Sequence, residues 1–132
     1  MVIDTDGACK GNPGKGGWGF LVVEGTKVIK ERKGGKAITT NNEMELMAIK
    51  KALSYAKTKQ SKVTIVSDSI SAINCLTKWY SGWERNNFIT SSKTPVKNKD
   101  IIIKIKSLMD EIGGVKFKWV KGHSGDNYNN RA

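Results

Sequence analysis

The chain has 132 residues, 38% of them hydrophobic, with four Trp; that is enough for one core and short for two, and it excludes a disordered chain. Twenty-three Lys and Arg against twelve Asp and Glu give a formal charge of +11 and a pI near 9.8, which favours a polyanionic partner, although a solubilising lysine-rich surface would give the same balance. No apolar run approaches the ~20 residues of a membrane span, no signal-peptide pattern follows Met1, and Cys9 and Cys75 make neither a disulfide scaffold nor a zinc motif, so one cytoplasmic domain over 1–132 is expected.

Val2 to Ala8 reads as a strand, and Gly17 to Val23 with Lys27 to Lys33 as a hairpin turning at Glu24-Gly25-Thr26. Asn41 or Asn42 can cap a helix running to about Lys57, with Met44, Met47, Ala48, Ala52 and Ala56 spaced for one buried stripe. Lys62 to Ser67 (KVTIVS) is a short β-branched run of the kind buried on both faces in parallel sheets, and Asp68 stands at its carboxyl end. A short helix from about Ile70 to Thr77 follows, then an irregular stretch rich in Trp, Gly and Asn through Thr94. Pro95 precedes a helix whose face is marked by Ile101, Ile105, Leu108, Met109 and Ile112. Asp100 suits its first turn, and Gly113-Gly114 stops it. Val115, Phe117 and Trp119 alternate with Lys116 and Lys118, which predicts a last strand with an apolar face.

The predicted order is βββαβααβ followed by a loop. Strands separated by helices run parallel, and function in such sheets gathers at their carboxyl ends, where Asp6, Asp68 and the loop after Val120 fall. Asp6 opens a glycine-rich segment, TDGACKGNPGKGGWG, that suits either close approach to a substrate or a tight hairpin connection. Glu45, early in the first helix, can point back over the sheet edge or simply face solvent. Asp68 is the more telling acid, because a carboxylate ending an apolar strand is costly unless it is exposed or binds a cation.

Four segments, TDGACKGNPG, TTNNEMEL, VSDS and KGHSG, occur in an order and at separations that resemble the motifs of type 1 ribonuclease H, over nearly the whole chain. The resemblance implies an α/β, RNase H-like fold: a five-stranded mixed sheet in the order 3-2-1-4-5 with helices on both faces. It implies hydrolysis of the RNA strand of RNA–DNA hybrids by two Mg²⁺ ions, with Mn²⁺ able to substitute, leaving 5′-phosphate and 3′-hydroxyl ends. By motif position Asp6 bridges both ions, Glu45 holds one and Asp68 the other, while His123 assists proton transfer or product release without binding metal. Asn12, Asn41 and Asn42 match positions that read the hybrid's minor groove, where 2′-hydroxyls are displayed, and Gly7 and Cys9 join them as substrate-binding residues. Thr40, Trp79, Lys97 and Asn98 match positions that hold the DNA strand; for Trp79 and Trp83 ordinary packing is an equal alternative. Lys78, Arg85 and Lys93 match a basic protrusion or form a solvated charged face. A monomer is expected.

The sequence also departs from the family pattern. It ends at Asn129-Asn130-Arg131-Ala132, where the family leads into a fourth active-site Asp, so a C-terminally short domain is expected, with a weakly active or non-catalytic hybrid-binding module as the alternative. Asp126 is assigned to the His123 loop rather than to the missing position. Glu43 stands where a basic residue is common, Asn130 where Glu is frequent, and Asp4 where an apolar residue is usual.

Overall fold

The computed structural model describes residues 1–11, 13–90 and 92–121. Three strands open the chain, β1 (Val2–Cys9), β2 (Gly14–Glu24) and β3 (Lys27–Thr39), followed by helix α1 (Asn41–Thr58), strand β4 (Val63–Ser67), helices α2 (Ile70–Thr77), α3 (Tyr80–Arg85) and α4 (Lys99–Ile112), and strand β5 (Val115–Trp119). They form one five-stranded sheet in the order β3-β2-β1-β4-β5. The first three strands are antiparallel neighbours, whereas β4 runs parallel to both β1 and β5. The hairpin turns on Gly25 at φ 62°, in the left-handed region that glycine enters without penalty.

The core follows from strand alternation and helix spacing. Ile3 of β1, Phe20 and Val22 of β2, and Val63 and Ile65 of β4 present one face of the sheet. Against it pack Leu46, Ile49 and Leu53 of α1; Ile102, Ile105 and Leu108 of α4, which packs on α1, join the same core, and all are buried. Each such aliphatic side chain contributes roughly 1.5–3 kcal/mol by leaving water. Among the described residues the helices gather on this face. The opposite face carries Leu21, Val66 and Asp4, also buried, and the register sets Asp4 between Leu21 of β2 and Val66 of β4.

Several boundaries differ from the sequence reading. β3 continues to Thr39 because it pairs with β2 beyond Lys33, although Lys33 to Ile38 are exposed and carry no alternating pattern. The buried stripe of α1 includes Leu46, Ile49 and Leu53, while Met47 is only half-buried. On α4 it is Ile102 rather than Ile101 that is fully enclosed. The supposedly irregular stretch contains α3, a six-residue helix.

Candidate active site

The first two acids are brought together by strand register. β1 and β4 pair in parallel through Asp4 opposite Val66, so two residues further along Asp6 and Asp68 stand side by side at the same edge. The hydroxyl of Thr5 donates to the Val66 carbonyl at 2.9 Å, fastening the two strands just below the pair.

Helix α1 delivers the third acid. Its N-cap is Thr40, not Asn41 or Asn42: the backbone there is extended (φ −126°, ψ 163°) and the Thr40 Oγ1 accepts the amide of Glu43 at 3.2 Å. The Glu43 carboxylate in turn accepts from the Thr39 hydroxyl and, at 3.1 Å to each oxygen, from Lys36 Nζ. These bonds, Thr39 first, hold Glu43 below the usual carboxylate range. The unusual acid at position 43 thus ties the first turn of α1 to the end of β3. Gly7 sets how closely the helix approaches the sheet, since a Cβ there would run into the backbone of Met44 and Glu45.

That contact places Glu45 over β1, 8% exposed, with the Gly7 amide donating to its Oε1 at 3.3 Å. Its Oε2 is buried and has no hydrogen-bond partner among the described residues. One carboxylate oxygen from each of Asp6, Glu45 and Asp68 lies within 4.8 Å of the others. Burial, then the charges of Asp68 and Asp6, push the Glu45 carboxyl up to about 8, against the pull of the Gly7 amide. A half-enclosed set of hard oxygen donors, one of them without a hydrogen-bond partner among the described residues, is chemically fitted to a divalent cation, whose positive charge would offset the mutual repulsion of the carboxylates.

Asp68 is held by the turn between β4 and α2. Ser69 caps α2 by accepting the Ala72 amide at 3.1 Å, and its own amide donates to Ser67 Oγ at 3.1 Å. From β5, Val120 N donates to the Ser67 carbonyl and Trp119 Nε1 to the Asp68 carbonyl, both at 3.0 Å. Trp119, read from the sequence as part of an apolar face, is 48% exposed at the strand's end. The signal that could have revealed its role was its place four residues before His123, level with the end of β4.

Around the acids, Asn41 Oδ1 accepts the Cys9 amide at 2.8 Å, joining the start of α1 to the end of β1, and Cys9 Sγ donates to the Gly11 carbonyl at 2.7 Å. Asn42, Trp79, Lys97 and Asn98 line a groove of about 180 Å³ with Trp83 and Cys75. Trp79 is 41% exposed, tilted against Trp83 with 5.9 Å between ring centroids. Asn98 sits in the left-handed region (φ 61°) and makes no side-chain capping bond to α4, although it occupies the N-cap. Of the anticipated site residues, then, Asp6, Gly7, Glu45 and Asp68 meet at one point, Cys9 and Asn41 meet beside it, and Asn42, Trp79, Lys97 and Asn98 share the groove. Asn12, His123 and Asp126 lie outside the described residues.

Comparison with known proteins gives the family and the fold. The model of the RNase H family matches residues 1–132. The chain is 47% identical to the ribonuclease H of Cereibacter sphaeroides, over 97% of this chain and 86% of that one. It is 48% identical to the ribonuclease H of Ruegeria pomeroyi, over 97% and 84%. Among solved structures, LC9-RNase H1, described as a type 1 RNase H with the type 2 active-site motif, shares the fold with a TM-score of 0.82 at 24% identity, covering 99% of this chain and 67% of that one. LC11-RNase H1, solved in complex with an RNA/DNA hybrid, superposes with a TM-score of 0.74 at 23% identity, covering 99% and 94%.

Proposed function

The chain belongs to the RNase H family, and we propose that Asp6, Glu45 and Asp68 are the carboxylates with which it performs that family's reaction. As a member it is an enzyme that cleaves the RNA strand of RNA–DNA hybrids, and its acidic cluster suits divalent metal. The observation that carries the assignment is the convergence of three acids from β1, α1 and the end of β4 within 4.8 Å, one of them with a buried oxygen that has no hydrogen-bond partner among the described residues.

In this reading Asp6, Glu45 and Asp68 would together hold two Mg²⁺ ions, for which Mn²⁺ could substitute. Such ions supply Lewis-acid stabilisation of charge on the phosphate and a water of lowered pKa. The protein's part is placement. Gly7 fixes Glu45 with its amide while leaving no side chain between helix and strand. Asn41, Asn42 and Asn12 read 2′-hydroxyls in the minor groove, which selects RNA over DNA without demanding a base sequence. The Trp79 face, Lys97 and the uncapped Asn98 receive the DNA strand's backbone, assisted by Thr40, whose hydroxyl can still donate while its oxygen caps α1. Water attacks phosphorus as the bond to the 3′ oxygen breaks, giving 5′-phosphate and 3′-hydroxyl ends. His123 is assigned the movement of a proton on the leaving side. The enzyme acts as a monomer, which size-exclusion chromatography would read.

Incubating a labelled hybrid with wild-type and Asp68→Asn protein in Mg²⁺ and in Mn²⁺ tests the assignment. Cleavage by the wild type and its loss in the variant are expected. Equal cleavage by both would remove Asp68 from the site. Salt-sensitive binding of hybrid without cleavage by the wild type in either metal would identify a binding module instead.

A further inference from the structure

The segment that carries Asp68 is restrained by more than its own turn. The peptide before Asp68 offers its carbonyl, that of Ser67, to Val120 N at 3.0 Å, and the peptide after it offers the Asp68 carbonyl to Trp119 Nε1 at 3.0 Å. Both donors come from the end of β5, which lies parallel to β4 with Ser67 opposite Trp119. The backbone bond continues the strand ladder by one step and is ordinary. The indole bond is not part of any ladder: it spans 51 residues, and its ring is 48% exposed. Within that half-exposed ring, the N–H edge is committed to a single carbonyl beside an acidic cluster.

We infer that Trp119 is a positioning residue for Asp68: its indole N–H orients the peptide that follows Asp68 and thereby the angle at which the carboxylate enters the cluster with Asp6 and Glu45. The inference rests on the metal-binding role proposed above for these acids. Groups that hydrogen-bond next to metal-ligating residues set ligand orientation, and their removal typically lowers metal affinity about 10- to 100-fold. Trp119 acts here through a backbone carbonyl rather than through the carboxylate itself, so the lower end applies. The same contact joins the β4–α2 turn directly to the residue that precedes Val120 and Lys121, which gives the end of β5 a mechanical connection to the acid site.

The test is Mn²⁺ binding to substrate-free protein by calorimetry, for wild type, Trp119→Phe and Trp119→Gln. Phe keeps an aromatic ring and loses the donor. Gln loses the ring but carries an N–H donor as many bonds from the backbone as the indole nitrogen. Thermal unfolding in metal-free buffer accompanies each. The inference expects Trp119→Phe to bind Mn²⁺ about tenfold more weakly, with Trp119→Gln recovering most of the loss even where its unfolding temperature is the lower of the two. It also expects the Trp119 indole N–H resonance to exchange slowly with solvent and to shift when Mg²⁺ is added. Trp119→Phe binding Mn²⁺ as wild type does, or affinities that follow unfolding temperature instead of the donor, would overturn it. Should the wild type itself bind no Mn²⁺ while Asp68→Asn behaves identically, the proposed metal site fails and takes this inference with it.

Discussion

Replacing Glu45 by Gln should stabilise the metal-free fold, increasingly so as the pH rises. The acid is 8% exposed, one of its oxygens has no partner among the described residues, and burial together with Asp68 and Asp6 raises its carboxyl from 4.5 to about 8. Below 4.5 both the folded and the unfolded chain hold the proton, and the group costs the fold nothing. Between 4.5 and about 8 the unfolded chain has released the proton and the folded one retains it, so stability falls as pH rises; above about 8 the loss is complete. Integrated over that window, the wild type should lose on the order of 2–3 kcal/mol between about pH 5 and about pH 7 from this group. Glu45→Gln is spared the loss: its amide oxygen can still accept the Gly7 N–H, and its NH₂ can donate toward the two aspartates. Urea denaturation with a chelator present, at a series of pH values, reads the difference directly. Parallel pH curves for the two proteins, or a variant less stable than wild type near neutrality, would refute the reasoning. Divalent metal should reverse the order, because a cation bound to the wild-type carboxylates stabilises the fold by mass action and replaces the proton.

Three further outcomes are expected. Gly7→Ala should cost about 1–3 kcal/mol in a urea melt, with a loss of hybrid cleavage, because the new methyl must push α1 and Glu45 away from β1. Thr40→Ala should cost about 1 kcal/mol of stability by removing the cap on the Glu43 amide, and Thr40→Ser should restore it. Hybrid affinity, measured by fluorescence anisotropy in Ca²⁺ to suppress turnover, should fall linearly in log–log form with salt. If Lys97 meets a phosphate, Lys97→Ala should lower that slope by about 1; an unchanged slope would exclude the contact.

The order of elements was legible in the sequence because its signals are local. The β-branched run before Asp68, the glycine pair after Ile112 and the spacing of α1 each act within a few residues, and the structure shows the corresponding strand, stop and helix. Weaker elements gave weaker signals. Helix α3 buries none of its residues and has no side-chain cap, so it leaves no apolar period to find. The outer half of β3 is exposed along its length, so its pairing with β2 shows in the register and not in alternation. The choice of Thr40 over Asn41 as the cap depended on which residue takes the extended backbone, and three residues in a row could have served.

The three acids were legible for a different reason from their supports. Each acid is placed by its own element: a strand that ends just before Asp68, a helix whose second turn begins near Glu45, a strand that carries Asp6 beside a glycine. Motif spacing and fold topology therefore suffice to bring them to one edge. What holds them there is non-local. The Gly7 amide reaches Glu45 across 38 residues, and the Trp119 indole reaches the Asp68 carbonyl across 51. Neither contact follows from propensity or periodicity, since a glycine is equally at home in a turn and a tryptophan in an alternating strand is equally at home in a core. On the roles proposed above both would bear on the chemistry, because a cluster of carboxylates relaxes apart unless its backbone is restrained. Substitutions at Gly7 and Trp119 should thus change metal affinity, whereas substitutions at core positions as close in sequence, such as Ile3 or Phe117, should change stability first. Measuring the two quantities side by side for such pairs would separate the residues that form the fold from those that aim its acids.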